Sequence, residues 1–405
     1  AEEIETDYTL LTPVRVVASS EGVDASVLTK PRFGQVAEGA FLKGSGPVLA
    51  KGAWFLLDFG RETHGLVNIG CGARSGKNAQ VHVRFGESVA EALAPLGERG
   101  ACNDHAIRDD IVRLPWYGSR TVGPTGFRFA RLENAGDAPL QIEFVRAIEI
   151  RRELPRLGSF RCSDERVNRV FDTAVRTVEL CSQEFLWDGV KRDRLVWMGD
   201  THPETMAILA VFGASPVLPK SLDYMAATCS LQSWMNTMPT YTLWWIRNLA
   251  EWYRYTGDLA YLQKHHAYLV GTFNHVLTGM KDGAWTAGNF LDWPTKHNQP
   301  ASTAGTQALA LLAARETVFL AEALKDGALA EKARQMAATL AVQKPEPHGA
   351  KSAAALLALA GLRSPKEMFD GCLGQDGHAK VSTFYGYYML EAMSVAGENR
   401  RALET

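Results

Sequence analysis

The stretch ELPRLGSFRCSDE, residues 153–165, is where the periodicity of the chain changes. Before it, apolar residues alternate in short runs such as WFLLDFG (54–60), LVNIG (66–70), AQVHVRFGE (79–87) and QIEFVRAIEI (141–150), divided by Gly, Asn and Asp. A period of two with turn residues between the runs is the pattern of half-buried strands. Several short strands of this kind predict a β-sandwich. After the stretch, Val167, Val170, Phe171, Ala174, Val175 and Val178 share one face of a helix, and similar stripes recur near 220–230, 241–256, 259–279, 304–325, 328–342, 351–361 and 381–396. The chain is therefore expected to divide into a β-sandwich domain over 1–154 and an all-helical domain over 155–405. Thr201 and Glu204 have the spacing of a capping box, and Gly257 followed by Asp258 is expected to end one helix and cap the next. Antiparallel helix pairs follow from packing, and a toroid of pairs is one natural closure.

Length and composition bound the rest. A chain of 405 residues with 46% apolar and 22% charged residues describes a folded protein of about two domains. A formal net charge of -2, with no block of Lys and Arg, offers no footprint for nucleic acid or an anionic membrane, so a small or uncharged partner is expected. Six cysteines lie far apart without a C-x-x-C, which argues against zinc and against a compact disulfide framework; they read as mostly buried thiols. No metal or cofactor is called for. No apolar run is long enough for a membrane helix, and no charged-then-apolar leader opens the chain.

The chemistry is concentrated in WDGVKRDRLVWMGD (187–200), which sets the acids Asp188, Asp193 and Asp200 among Lys191, Arg192, Arg194 and two tryptophans. It falls between two helices, so it is a long connection at one end of the helical array, where a rigid scaffold can carry chemistry. Its apolar side chains, Trp187, Val190, Leu195, Val196, Trp197 and Met198, must pack and would pin the acids between them. A buried ion-pair network tying Asp188 and Asp193 to Arg192 and Arg194 accounts equally well for the composition of this loop alone. A second connection, GNFLDWP (288–294), again sets an acid, Asp292, beside a tryptophan, Trp293, and WMNTMPTYTLWW (234–245) reads as a third aromatic connection. Acids accept hydrogen bonds from sugar hydroxyls and indoles cover the apolar faces of a pyranose, so the set points to a carbohydrate site. Glu391 lies among core residues of a helix, and His265-His266 match no metal spacing.

FRCSDERVNRVFDTA, DGVKRDRLVWMGD and FLDWP, in this order behind LDFGRETHGLVNI and TGFRFARLENAG, resemble the α-L-rhamnosidases of glycoside hydrolase family 78 over roughly residues 50 to 400. The resemblance implies β-sandwich domains ahead of an (α/α)6 barrel that removes terminal α-L-rhamnose with inversion. It implies Asp193 as general acid, Asp188 and Asp200 as holders of rhamnose hydroxyls, Asp292 with Trp293 at the sugar, and matching Arg192 and Trp197. This chain departs from the family in three ways. Asp193 stands where a Glu is usual and Gly189-Val190 where Cys-Pro is usual. The GATTxWE-like stretch that carries the family's base has no counterpart, so the general base is unidentified. About ten helices are expected where a closed barrel needs about twelve, so the chain is expected to be a piece of a longer protein with an incomplete barrel. In an inverting mechanism Asp193 protonates the glycosidic oxygen while a base about 6.5–9.5 Å away activates water. The expected partner is a rhamnose-containing oligosaccharide or glycoside, and the substrate class implies a periplasmic or extracellular location, with the cytoplasm left open. The competing readings are another inverting (α/α)6 glycosidase or phosphorylase, and a carbohydrate-binding protein without turnover.

Overall fold

The computed structural model describes residues 5–31, 44–72, 74–77, 79–104, 106–116 and 118–405. They form two compact units. One takes the described residues up to Leu154 together with Cys162–Leu195, the other Pro155–Arg161 together with Val196–Thr405. The division differs from the one anticipated at 154/155, because the first long helix and most of the acid-rich loop are part of the β-containing unit.

That unit is built from β1 (Thr6–Leu11), β2 (Arg15–Ser19), β3 (Val48–Leu49), β4 (Trp54–Cys71), β5 (Gln80–Gly86), the short helix α1 (Val89–Leu93), β6 (Asp109–Arg113), β7 (Ser119–Asn134), β8 (Leu140–Arg152) and helix α2 (Glu165–Cys181). The strands run in the order β1-β8-β4-β7-β5-β6, with β2 on β4 and β3 on β8, and the pairings are antiparallel. The runs 54–60 and 66–70, expected as two strands, are one strand of 18 residues. Its register against β7 shifts between Asp58 and Thr63 and again between Gly65 and Val67. Such irregularities let a strand turn while keeping partners: the first half of β4 pairs with β2, the second with β8, and both with β7. Phe55, Phe85 and Phe127 are among the largest fully buried side chains of the core between them.

Helix α2 starts at Asp164, whose side chain accepts from the Arg166 N–H as an N-cap. It is fastened to the sheet through Glu149 of β8. That carboxylate is wholly buried and accepts from Arg61 Nη2 at 2.8 Å, from Thr63 Oγ1 at 2.7 Å, and from Arg176 of α2. Charged donors on both oxygens offset the loss of water, without which a buried carboxylate would be strongly destabilising.

The helical unit runs α3 (Thr201–Val211), α4 (Val217–Thr228), α5 (Pro239–Thr256), α6 (Leu259–Lys264), α7 (His266–Leu277), a hairpin of β9 (Met280–Lys281) and β10 (Ala284–Trp285), α8 (Gln299–Ala323), α9 (Gly327–Ala341), α10 (Lys351–Leu359), α11 (Pro365–Met368), α12 (Thr383–Val395) and α13 (Asn399–Glu404). Helices α3, α5, α8, α10 and α12 pack each against the next, while α4 and α7 lean on α5 and α9 on α8. Residues Thr240 to Ala250 of α5 and Lys351 to Ala358 of α10 are buried without a break, as in helices enclosed by others. Gly257 ends α5 in the left-handed conformation, and Asp258 caps α6 by accepting from Tyr261 N–H. The stripe 259–279 is two helices meeting at His265. The capping box expected at Thr201 does not form. Asp200 already has helical backbone angles, so Thr201 is inside the helix and its hydroxyl donates to the Met198 carbonyl at 3.1 Å. The segment 239–245, read as a connection, is the first part of α5, with Trp244 and Trp245 in the core. The six cysteines form no disulfide with one another; Cys71, Cys181 and Cys372 are buried, whereas Cys162 is exposed. No described helix is long and apolar enough to cross a membrane.

Candidate active site

Beyond α2 the chain closes a loop on itself. Asp188 N–H donates to the Leu195 carbonyl at 3.2 Å, and Leu195 N–H donates to Asp188 Oδ1 at 3.1 Å. Trp187 stands edge-on to His64 of β4, with ring centroids 5.3 Å apart. Inside the loop, Asp193 and Arg194 have φ of 61° and 53°, the left-handed region that non-glycine residues avoid. Arg192 Nε lies 3.7 Å from Asp193 Oδ1, with 63% of the Arg192 side chain in solvent. This contact is long and its arginine side is open to solvent, and pairs of this kind contribute little to stability.

The electrostatics of the loop are set by burial. The Asp188 carboxyl is pushed up to about 6, first by desolvation and then by the charge of Asp193, against the lowering effect of the Leu195 N–H. Nearby on β4, Glu62 is pushed up to about 8 by burial, with Glu87 and Glu91 adding to the effect and Lys191 and Arg176 opposing it. His64 is held down at about 4, chiefly by burial and then by the Arg194 charge, so its ring is neutral. The β unit thus keeps two carboxyls in the range useful for proton transfer near neutrality.

The remaining candidates stand in the helical unit. Val196 and Met198 are buried on either side of Trp197. Asn236 holds this segment: its Oδ1 accepts from Met198 N–H at 3.0 Å and its Nδ2 donates to the Val196 carbonyl at 3.1 Å. Gly199 is needed because a Cβ there would lie 2.1 Å from the Tyr241 ring. A run of aromatic contacts links Trp197 to Tyr241 (6.1 Å), Tyr241 to Phe290 (6.4 Å) and Phe290 to Trp293 (5.3 Å). Trp293 is 67% exposed, with the Lys296 ammonium 5.0 Å from its ring centre. Asp292 beside it is buried and already engaged; Oδ1 accepts from Thr295 N–H and Oδ2 from Ser382 Oγ, both at 2.9 Å. Asp200 and Asp292 share a neighbour in Tyr385, whose phenol is held far above its ordinary range by burial first and by the two carboxylates in addition. Behind them, buried His202 pairs through Nδ1 with the Tyr388 hydroxyl at 2.8 Å.

Asp188, Arg192 and Asp193 are therefore neighbours in the β unit, and Trp197, Asp200, Asp292 and Trp293 in the helical one. Asn236, Ser382 and Glu62 were missed by sequence reasoning. Asn236 had a usable signal, since Asn tolerates the left-handed conformation it adopts here (φ 49°). Among the described residues no group of three or more His, Cys, Asp and Glu is arranged to hold a metal ion.

Residues 155–343 match the family model described as the bacterial α-L-rhamnosidase six-hairpin glycosidase domain. The resemblance is to the α-L-rhamnosidases. The matched stretch includes the acid-rich loop and the FLDWP connection. Among solved structures, a rhamnosidase from Klebsiella oxytoca with rhamnose bound is similar at a TM-score of 0.79 and 18% identity, over 99% of this chain and 86% of that one. A family 78 rhamnosidase of Bacillus sp. GL1 is similar at 0.75 and 18%, over 94% of this chain and 43% of that one. The Streptomyces avermitilis α-L-rhamnosidase complexed with L-rhamnose is similar at 0.64 and 17%, over 88% and 38%. This chain thus spans most of the first rhamnosidase and less than half of the other two. At these identities the likeness is one of fold. No curated protein sequence matches the chain.

Proposed function

We propose that this chain carries the active-site residues of an inverting α-L-rhamnosidase acting on terminal α-L-rhamnose of an oligosaccharide or glycoside. The observation that carries the reading is the closed loop at 188–195, inside the stretch that matches the rhamnosidase domain, with two adjacent carboxyls of which Asp188 is raised to about 6. In this reading Asp193 gives its proton to the glycosidic oxygen, and Asp188 and Arg192 hold sugar hydroxyls. In the helical unit Trp197 and Trp293 cover apolar sugar faces, while Asp200 and Asp292 accept from hydroxyls. Each carboxyl oxygen of Asp292 takes one of these bonds and has a second lone pair with which to accept from a hydroxyl. The base that activates water is not assigned. The row of packed helices supports an (α/α)6 arrangement, and the long antiparallel strands support a sandwich. A glycoside substrate of this kind favours a periplasmic or extracellular site of action.

The test is a panel of aryl glycosides. A methyl group on indole gains where a hydroxyl would need a partner, a difference of roughly 1–3 kcal/mol. Aryl α-L-rhamnoside should therefore turn over about tenfold or more faster than aryl α-L-mannoside. Equal rates would remove the rhamnose assignment, and rhamnose binding without turnover of any glycoside would favour a carbohydrate-binding protein instead.

A further inference from the structure

The acid loop does not hold its own shape. Asp193 and Arg194 occupy left-handed angles in succession, where a Cβ crowds the following carbonyl oxygen, so other parts of the unit must hold them. Three contacts do so. Lys191 reaches out of the loop and sets its Nζ 2.9 Å from Glu87 Oε2 and 3.1 Å from Glu91 Oε1. Those carboxylates belong to a rigid anchor at α1. Ser88 Oγ accepts from Glu91 N–H, Glu91 Oε2 accepts in return from Glu87 N–H, and buried Arg108 donates to the Glu91 and Ala94 carbonyls. Next, the Val190–Lys191 backbone passes directly over Gly126 of β7. A Cβ at Gly126 would lie 2.7 Å from Val190 Cγ2 and 2.8 Å from Lys191 N, so a side chain there would lift the loop off the strand. Two residues earlier on the same strand, the Pro124 carbonyl accepts from Arg194 Nη1 at 2.9 Å.

We propose that Lys191 and Gly126 are positioning residues for the general acid: the ammonium clamp at α1 and the glycine seat on β7 fix the backbone on the near side of Asp193 and so aim its carboxyl. The assignment rests on the rhamnosidase reading above. Neither residue gives or takes a proton in the reaction. Partly exposed ion pairs such as those of Lys191 contribute little to stability, whereas a displacement of about 1 Å in a reacting group can cost about a hundredfold in rate. Removing the clamp should therefore be felt in turnover far more than in folding.

The experiment uses the intact protein with Lys191→Met and Gly126→Ala, each made alone and in an Asp193→Asn background. Turnover is measured on an alkyl rhamnoside, which needs protonation, and on an aryl rhamnoside with an acidic phenol, which needs little; melting temperatures are read in parallel. The expected result is a fall in kcat on the alkyl substrate of about tenfold to a hundredfold with little change in KM, a much smaller fall on the aryl substrate, and no further loss in the Asp193→Asn background. Unchanged kcat overturns the proposal, as do equal losses on both substrates or the same loss with and without Asp193. If Gly126→Ala fails to fold, Lys191→Met decides the matter. A wild-type protein silent on both glycosides would overturn the rhamnosidase reading and this assignment together, whereas an active wild type with indifferent variants overturns this assignment alone.

Discussion

Replacing Glu62 with Gln should flatten the dependence of stability on pH. Glu62 lies on β4 where the register against β7 shifts, and its carboxyl is pushed up to about 8 from an ordinary 4.5 by burial, with Glu87 and Glu91 contributing. Between those two values the native protein holds a proton that the unfolded chain has released. Stability must then fall as pH rises, by about 1.4 kcal/mol per pH unit at most. Over the interval the loss attributable to Glu62 is about 3–5 kcal/mol, complete near pH 9 and absent below about pH 4. Gln has nearly the same shape and cannot ionise, so Glu62→Gln should match the wild type in acid and exceed it by a few kcal/mol in mild alkali. Urea unfolding from pH 5 to pH 9, read as the difference between the two proteins, isolates the effect, because the raised Asp188 carboxyl is present in both and cancels. Parallel stability curves across that range would refute the reasoning and mean that water or a rearranged Lys191 reaches the carboxyl.

Other outcomes are equally specific. Asp193→Asn should lower turnover of an alkyl rhamnoside by about 10²–10⁴-fold and of an acidic aryl rhamnoside much less, with the melting temperature nearly kept; a large drop in melting temperature without leaving-group dependence would make Asp193 scaffold. The proposed role of Asp188 in holding sugar hydroxyls makes binding pH-dependent, because a carboxyl pushed up to about 6 is protonated as pH falls through that value. KM for a rhamnoside should rise below about pH 6, and in Asp188→Asn it should be higher and flat with pH; an identical profile in the variant would dismiss the role. Asn236→Ala removes both bonds that hold Val196 and Met198 and should cost about 1–3 kcal/mol by denaturant titration; a loss under about 0.5 kcal/mol would show the clamp to be idle. Ser382→Ala takes a donor from Asp292 and a cap from α12, and should cost about 1 kcal/mol while raising KM. A stable variant with unchanged KM would separate Asp292 from the sugar.

The kinds of structure were legible because burial enforces period. The alternation in 79–87 reflects one-sided packing, and a strand stands there; the stripe from Val167 to Val178 and the run 141–150 gave the right kind of element, although Val170 is exposed and residues 140–145 are buried on both faces. What escaped was whatever depends on partners distant in the chain. Nothing in 54–71 announces that two apparent strands are one, since the join at GRETH is made by β7 shifting register opposite it. The capping box at Thr201 was plausible locally and failed because Asp200 had already turned helical. The same limit applies to the candidate site. The acids and tryptophans of 187–200 stood out by composition, but the burial that raises Asp188 and the Asn236 side chain that grips Val196 and Met198 come from tertiary contact. Ser382, ninety residues beyond Asp292, is unremarkable in sequence and supplies one of the two bonds that hold that carboxylate.

Over the described residues the chain passes three times between its compact units, at Leu154/Pro155, Arg161/Cys162 and Leu195/Val196, and the last passage falls within the acid-rich loop. In terms of inheritance, a recombination crossover near residue 154, the natural place to cut by secondary structure, would separate helix α2, Lys191 and Asp193 from the strands of their own unit, pairing an acid loop from one parent with a Gly126 seat and a Glu87–Glu91 anchor from another. Chimeras of relatives should tolerate an exchange only when residues 162–195 travel with the strands. The residue proposed as proton donor belongs, by contacts, with the sheet and not with the helical array that follows it.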